Sequence, residues 1–284
     1  MSRLFIFYTR LRTEEKLLFR AAEDKGIPFS AVNLSDGLWP NIPGEAGDVA
    51  LCRCVSQTQN SALAVLLESR GVVTVNSSEV MALCGDKIAT AARLTAAGIP
   101  QPEYAVAFSP EATLEGAERL AYPLVLKPAT GSWGRLLAKI NDRDALEAVA
   151  EHKAHLGAAH SVFFLQKYVE KQGFDIRATL LGGEVLTVIS RRSDHWITNT
   201  ARGGIPENYP LSEELRSLLR RVQDAIGGTV LAVDLFEAED GWLLNEVNGQ
   251  PEFRSSDGVL TGVDIADRLV EHAWSLAGTP QVKE

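Results

Sequence analysis

Two acids and an amide set in an apolar stretch offer the clearest chemistry in the chain. "TVLAVDLFEAEDGWLLNEVN" (residues 229–248) reads as a hairpin, and "EDG" (Glu239 to Gly241) suits a three-residue loop with glycine in the left-handed position. If Ala238 faces Trp242, then Asp234 lies opposite Glu246, and Asn248 shares the face of Glu246. Two carboxylates facing each other across a strand pair repel. A bound cation would remove that cost, and an all-oxygen set suits magnesium better than zinc. Scattered acids on a solvated hairpin face are the plain alternative, but the flanking residues are strongly apolar.

A second group is "KPATGSWGR" (Lys127 to Arg135), directly after the apolar run Tyr122 to Leu126. It lacks the spacing of a Walker A loop. Its glycines would still let backbone N–H groups approach an anion, with Lys127 and Arg135 adding charge and Ser132 a donor. The expected form is a hairpin flap over a phosphate chain, although an exposed hairpin turn would look similar. A third group, "RRSDHWITNTARGG" (Arg191 to Gly204), carries three arginines after a strand, and Arg177 sits on the strand before it. Arginine forks suit carboxylates and phosphates, so an anionic substrate or a transferring phosphoryl group is expected there. His152 and His155 have helical i,i+3 spacing and read as solvated, and His195 reads as structural.

These groups need elements to hold them. Leu4 to Tyr8, "FSAVNL", Asp48 to Cys54 and Val72 to Asn76 read as strands, with helices over Glu14 to Lys25 and Asn60 to Ser69. That alternation implies a parallel sheet with helices on its faces. Ser78 is the expected cap of the next helix, and Lys87 falls near the start of another. A mixed region follows: strands at 103–108, before Lys127 and at 135–140, and helices at 110–120 and 142–156. Val162 to Glu170 is a further strand. "DIRATLLGGEVLTVISRR" is a hairpin turning at Gly182-Gly183, and Leu211 to Ile226 is an amphipathic helix. The expected units are residues 1–82, 83–160 and 161–284. The class is α/β, with α+β character in the C-terminal part.

Composition sets outer limits. The 284 residues suffice for two or three compact units, and 23% charged residues is ordinary for a globular chain. A net charge of -9 argues against non-specific nucleic-acid binding. No apolar run approaches the ~18 residues that span a bilayer, and the N-terminus reads as a strand rather than a signal peptide. A cytoplasmic location, away from membranes, is therefore expected. Three cysteines, Cys52, Cys54 and Cys84, fit neither a disulfide framework nor a zinc ribbon and read as reduced thiols.

Taken together, "CVSQ", "CGDK", "LKP", "GSWGRLLAK", "RRS", "HWITNTARGG", "AVDLFE", "NEVN" and "TGVDI" give the chain a resemblance to the ATP-grasp superfamily. The branch it resembles is that of RimK-type ligases, and within it the LysX group. The resemblance runs from about residue 5 to "AWSLA" at 273–277. It implies a Rossmann-like pre-ATP-grasp domain followed by two lobes that sandwich ATP. It also implies a ligase, dependent on ATP and Mg2+, that joins 2-aminoadipate to the C-terminal glutamate of LysW, a small acidic carrier protein, in lysine biosynthesis. A sister group, ArgX, does the same with glutamate for arginine.

The resemblance implies roles by position. Lys87 and Lys127 would contact ATP phosphates, and Gly131, Ser132, Trp133, Gly134 and Arg135 would form the flap. Lys167 and Tyr168 would lie along the adenine, with backbone groups reading it. Asp175 would reach the ribose side and Asn199 the phosphates. Asp234, Glu246 and Asn248 would hold magnesium. Arg192, Thr200, Arg202 and Gly203 would border the amino acid and the acyl phosphate, with Arg202 and Lys127 as the catalytic charges. A homo-oligomer is the expected assembly, and a local basic patch on the substrate side is expected to meet the acidic carrier.

One departure bears on the substrate. LysX and ArgX differ in a short motif after the metal strand: asparagine with a small residue for aminoadipate, Gly-Phe for glutamate. Here Ser255-Ser256 stands at that place. A serine can donate to a distant carboxylate, so the reading leans to aminoadipate. Glutamate, or RimK-type glutamate ligation to another protein acceptor, is the alternative. A regulatory nucleotide-binding protein without turnover is a rival of a different class, which the intact Asp234, Glu246 and Asn248 set disfavours.

Overall fold

The computed structural model describes residues 2–35, 37–131, 136–157, 160–239, 241–256 and 258–278. The expected flap residues Ser132, Trp133, Gly134 and Arg135 lie outside the described residues, as does residue 240 of the last hairpin loop.

The first apolar run forms β1 (Leu4–Tyr8), followed by α1 (Thr13–Asp24), β2 (Phe29–Asn33), β3 (Val49–Cys52), α2 (Gln57–Glu68) and β4 (Val73–Val75). The four strands are parallel, in the order β2-β1-β3-β4. Alternation along β1 sends Leu4 and Ile6 to one face and Phe5 and Phe7 to the other. The first pair packs with Leu18, Ala21 and Ala22 of α1, and the second with Leu63, Ala64 and Leu67 of α2.

Next come α3 (Ser78–Gly85), α4 (Lys87–Ala96), β5 (Tyr104–Ala107), α5 (Pro110–Leu120), β6 (Leu124–Lys127), β7 (Ala138–Ile140), α6 (Arg143–Ala154) and β8 (Phe163–Lys167). Ser77 caps α3, not the expected Ser78, with its hydroxyl accepting from the Val80 amide at 3.3 Å; Ser78 turns instead to Glu68. Asp86 caps α4, its carboxylate accepting from the amides of Ile88 and Ala89. This fixes where Lys87 leaves the helix. The strands form an antiparallel sheet, β5-β8-β6-β7, with Leu146 and Ala150 of α6 and Ala117 and Leu120 of α5 packed on it.

The last part holds β9 (Phe174–Leu181), β10 (Glu184–Arg192), β11 (Ile205–Asn208), α7 (Glu213–Ile226), β12 (Val230–Ala238), β13 (Gly241–Asn248), α8 (Gly258–Thr261) and α9 (Ile265–Ser275). The antiparallel order is β11-β10-β9-β12-β13. Helix α7 lays Leu215, Leu218, Leu219, Val222 and Ile226 against Ile176, Ala178 and Leu180 of β9 and Leu231, Val233 and Leu235 of β12. By alternation, Asp175, Arg177 and Asp234 stand on the opposite face.

The expected register of the last hairpin is corrected in one respect. Gly241, not Trp242, pairs with Ala238, because this glycine (φ +119) opens the returning strand instead of closing the loop. Unbroken pairing from there would set Asp234 against Asn245. A bulge between Asp234 and Leu235 takes up the extra residue and restores Asp234 opposite Glu246. Leu244 and Val247 both enter the core under α7, so Asn245 and Glu246 share the other face.

Candidate active site

Cross-strand pairing alone assembles a charged row. Arg191 on β10 sits opposite Asp175 on β9, and Arg177 on β9 opposite Asp234 on β12, which in turn faces Glu246 on β13. Arg191 forks Asp175 with two 2.7 Å hydrogen bonds. Arg177 forks Asp234 at 2.7 and 2.8 Å, and Arg191 also reaches Asp234 at 3.1 Å. Burial alone would raise the Asp234 carboxyl, but Arg177 and Arg191 outweigh it and hold the group down to about 2. Burial opposes the charge on Arg191 too, yet Asp234 and Asp175 keep it firmly protonated.

Lysines complete the row. Lys87 donates to the Gly131 carbonyl at 2.5 Å and lies 3.3 Å from Glu246. Lys127, buried at the end of β6, donates to the Asn245 side chain at 2.8 Å. Burial, reinforced by Lys87 and opposed by Glu246, brings its ammonium down to about 8. Lys171 lies beyond, donating to the Thr198 hydroxyl at 2.9 Å, with burial lowering it as well.

Two cavities flank this row and share Asn199. The larger, about 970 Å³ including its open mouth, is lined by Arg12, Gln57, Arg177, Arg191, Thr200, Asp234, Glu246, Asn248, Gln250 and Glu252 among others. The smaller, about 500 Å³, has walls of Val125, Leu137, Tyr168, Trp196, Ile197 and Phe236, with Lys127, Lys171 and Asp175 at its polar side. Flat apolar walls with a few convergent charges suit an aromatic ring joined to an anion.

The sequence-derived residues divide between these places. Asp234, Glu246, Asn248, Thr200, Asn199 and Gly131 line the larger cavity. Lys127, Lys167, Tyr168 and Asp175 line the smaller. The amides of Lys167 and Tyr168 are already committed, to the carbonyls of Glu103 and Pro123, so those two N–H groups have no donor left for a ring. Arg192, Arg202 and Gly203 are exposed and are not among the described residues that line either cavity. Arg192 reaches the Gln172 carbonyl and stacks over Phe174. Ser255 and Ser256 also stand apart: Ser256 is fully buried in a short 3-10 turn, its hydroxyl donating to the Phe253 carbonyl at 3.4 Å. His195 accepts from the Ile197 amide and stacks on Trp196. The three cysteines are free thiols.

Arg12, Gln250, Glu252 and Lys171 are site residues that sequence reading missed. Each is a single polar residue in a loop, and only the tertiary fold brings it to a cavity. The repulsion expected between Asp234 and Glu246 is met within the protein, by Arg177 and Arg191 on one side and Lys87 on the other. It therefore does not by itself demand a cation. The donor set still suits magnesium, since two carboxylates and an amide oxygen on facing strands converge on one cavity.

Two family models match the chain: the LysX preATP-grasp domain over residues 4–83 and the RimK-like ATP-grasp domain over residues 84–273. The chain is 34% identical over 275 residues to the glutamate–LysW ligase ArgX of Sulfurisphaera tokodaii, covering 95% of this chain and 97% of that protein. It is 35% identical over 261 residues to the alpha-aminoadipate–LysW ligase LysX of the same organism, covering 89% and 92%. Among solved structures, a RimK domain ATP-grasp protein of Sphaerobacter thermophilus superimposes with a TM-score of 0.80 at 29% identity, over 95% of this chain and 99% of that one.

Proposed function

Because the chain belongs to the RimK-like ATP-grasp family, and so is an ATP-dependent amide-forming ligase, we propose that it joins an α-amino dicarboxylic acid to a LysW-type carrier protein. The carboxyl activated is that of the carrier's C-terminal glutamate, and the amino acid supplies the attacking amine. The relatives named for glutamate and for aminoadipate match about equally. Ser255 and Ser256, the basis for favouring aminoadipate, line neither cavity. The proposed amine is thus the class that glutamate and 2-aminoadipate share.

The observation that carries this reading is the pair of cavities meeting at Asn199. The apolar-walled one takes the nucleotide, with its phosphates toward Lys127 and Lys87. The charged one takes the two acidic substrates. Asp234, Glu246 and Asn248 would hold magnesium, which when bound neutralises phosphate charge. Lys127 and the arginine row supply fixed positive charge where the phosphoryl group passes to the carboxylate. The amine then attacks the acyl phosphate, forming the amide and releasing phosphate. A closed flap would keep water from that intermediate.

The test is ADP release with a LysW-type carrier, magnesium-ATP, and glutamate or 2-aminoadipate. Release should require the carrier's terminal glutamate and one of the two amines, and chelating the magnesium should abolish it. No release with either amine would overturn the reading.

A further inference from the structure

We propose that Arg12 binds a carboxylate of the acidic substrate, and that Glu252 occupies its place until that substrate arrives. This deepens the ligase reading and rests on it. The first support is topological. The chain runs from β1 outward to β2 and then crosses to β3, so strand order reverses between β1 and β3. In open parallel sheets the ligand crevice lies beyond the carboxyl ends of the strands at that reversal. The segments leaving β1 and β3 carry Arg12 and the run Arg53-Cys54-Val55. Arg12, Cys54 and Val55 line the larger cavity together with Asp234, Glu246 and Asn248.

Hydrogen bonding then singles out which contact can be exchanged. Glu15 holds the Arg12 guanidinium from behind, at 2.8 and 3.1 Å, and its own side chain is 0% exposed. Glu252 meets the remaining nitrogen, Nη1, at 2.7 Å, but its side chain is 39% exposed. Glu15 is therefore a fixed support, and Glu252 is a carboxylate with water at its back. It also lines the cavity. A ligand carboxylate in its place would leave the charge of the cluster unchanged, while Glu252 moves into solvent that it already touches. Through Nη1 the guest carboxylate would gain one charge-assisted hydrogen bond, as Glu252 does now.

Behind Arg12 stands Arg53, 3% exposed, with Nε 3.4 Å from Glu15 and Nη1 donating to the Pro251 carbonyl at 2.9 Å. Its Nη2 is buried and, among the described residues, has no acceptor. A buried guanidinium donor without a partner is costly. It marks this cluster as one acceptor short, next to the segment Gln250 to Glu252 that lines the cavity.

Two variants test the assignment, by ligation kinetics and by calorimetric binding of glutarate, a dicarboxylate without an amine. Arg12→Gln should raise KM for the acidic amino acid about tenfold or more, the loss of one charge-assisted hydrogen bond, with KM for ATP unchanged. Glu252→Gln should lower the same KM, because glutamine does not compete for Arg12 as a carboxylate does. If KM for the carrier moves in these two directions instead, the guest is the carrier's terminal carboxylate and Arg12 keeps its role. Unmoved KM values in Arg12→Gln, or a rise in Glu252→Gln, would overturn the proposal. Should Arg12→Gln fail to fold, Glu252→Gln decides alone. Should the wild type ligate nothing, the ligase reading fails separately. Glutarate binding that weakens in Arg12→Gln and tightens in Glu252→Gln would then still support the subsite, and no glutarate binding would overturn it.

Discussion

Lys127 shows how one side chain sets a pH window. It is buried, and its ammonium meets the amide oxygen of Asn245 rather than a carboxylate. With burial bringing the group to about 8, it is charged at neutral pH and loses its proton just above. A lysine that holds a phosphate must be charged. The kcat/KM for ATP, which reports the free enzyme, should therefore fall about tenfold per pH unit above ~8. Lys127→Arg should lose that limb, since arginine stays charged. The linked effect on stability has a definite sign. Between about 8 and the ordinary lysine value of 10.5, the unfolded chain binds the proton that the folded chain has lost. The ligand-free protein thus gains stability as pH rises through that window. A kcat/KM profile that stays level well past pH ~8 would remove Lys127 from the phosphate site.

At the scale of elements, the bulge in the last hairpin does most to shape the site. It sets Asn245 and Glu246 on one face of β13, the first toward Lys127 and the second toward Lys87. Asn245→Ala should lower the thermal midpoint by several degrees, because it leaves the buried Lys127 ammonium without that acceptor, at ~1–3 kcal/mol. It should lower kcat/KM for ATP about tenfold, since a hydrogen bond to a charged group contributes ~1.5–3 kcal/mol. It should also move the alkaline fall below 8, because the buried ammonium would lose the amide oxygen that accepts from it. A fall that shifts upward or stays put would show that Asn245 does not support Lys127. The bulge was left out of the expected register, although "LLNEVN" carries a trace of it: two polar residues between Leu244 and Val247, both inward-facing in the structure, break strict alternation. Helix α9 was legible, as Asp264 caps a run with Ile265, Ala266, Leu269, Val270 and Ala273 on one face, although the expectations above leave it out. Strand β11 was not, being a four-residue edge with little buried surface. Nor was the arginine–aspartate row, because β9 pairs with β12 across some fifty residues and no local pattern encodes that register.

In the molecule as a whole, the N-terminal sheet and the C-terminal sheet act as one body through a shared core. Leu4, Ile6, Leu18 and Val75 pack in one cluster with Leu181, Val230, Phe253, Ile265 and Leu269. Asn76, 1% exposed at the end of β4, latches the two halves. Its amide nitrogen donates to the carbonyls of Val230 and Gly249, at 2.6 and 2.5 Å, and its oxygen accepts from the amides of Thr229 and Val230. Those partners flank the site on both strands: Val230 opens β12, which carries Asp234, and Gly249 follows Asn248. Asn76→Ala would strand two donors and two acceptors in a dry interior, at ~1–3 kcal/mol for each group that water cannot reach. We expect a loss of about 3–5 kcal/mol, and a drop in the thermal midpoint of about 10 °C for a chain of this size. The transition should stay single, because the shared core unfolds with both sheets. Below that midpoint, KM for magnesium-ATP should rise, since the acids and the amide are no longer held in register from both ends. Calorimetry that resolves two separate transitions in the variant would mean that the sheets are independent. An unchanged midpoint would mean that water replaces the latch, and either result would break the link drawn here between Asn76 and the charged row.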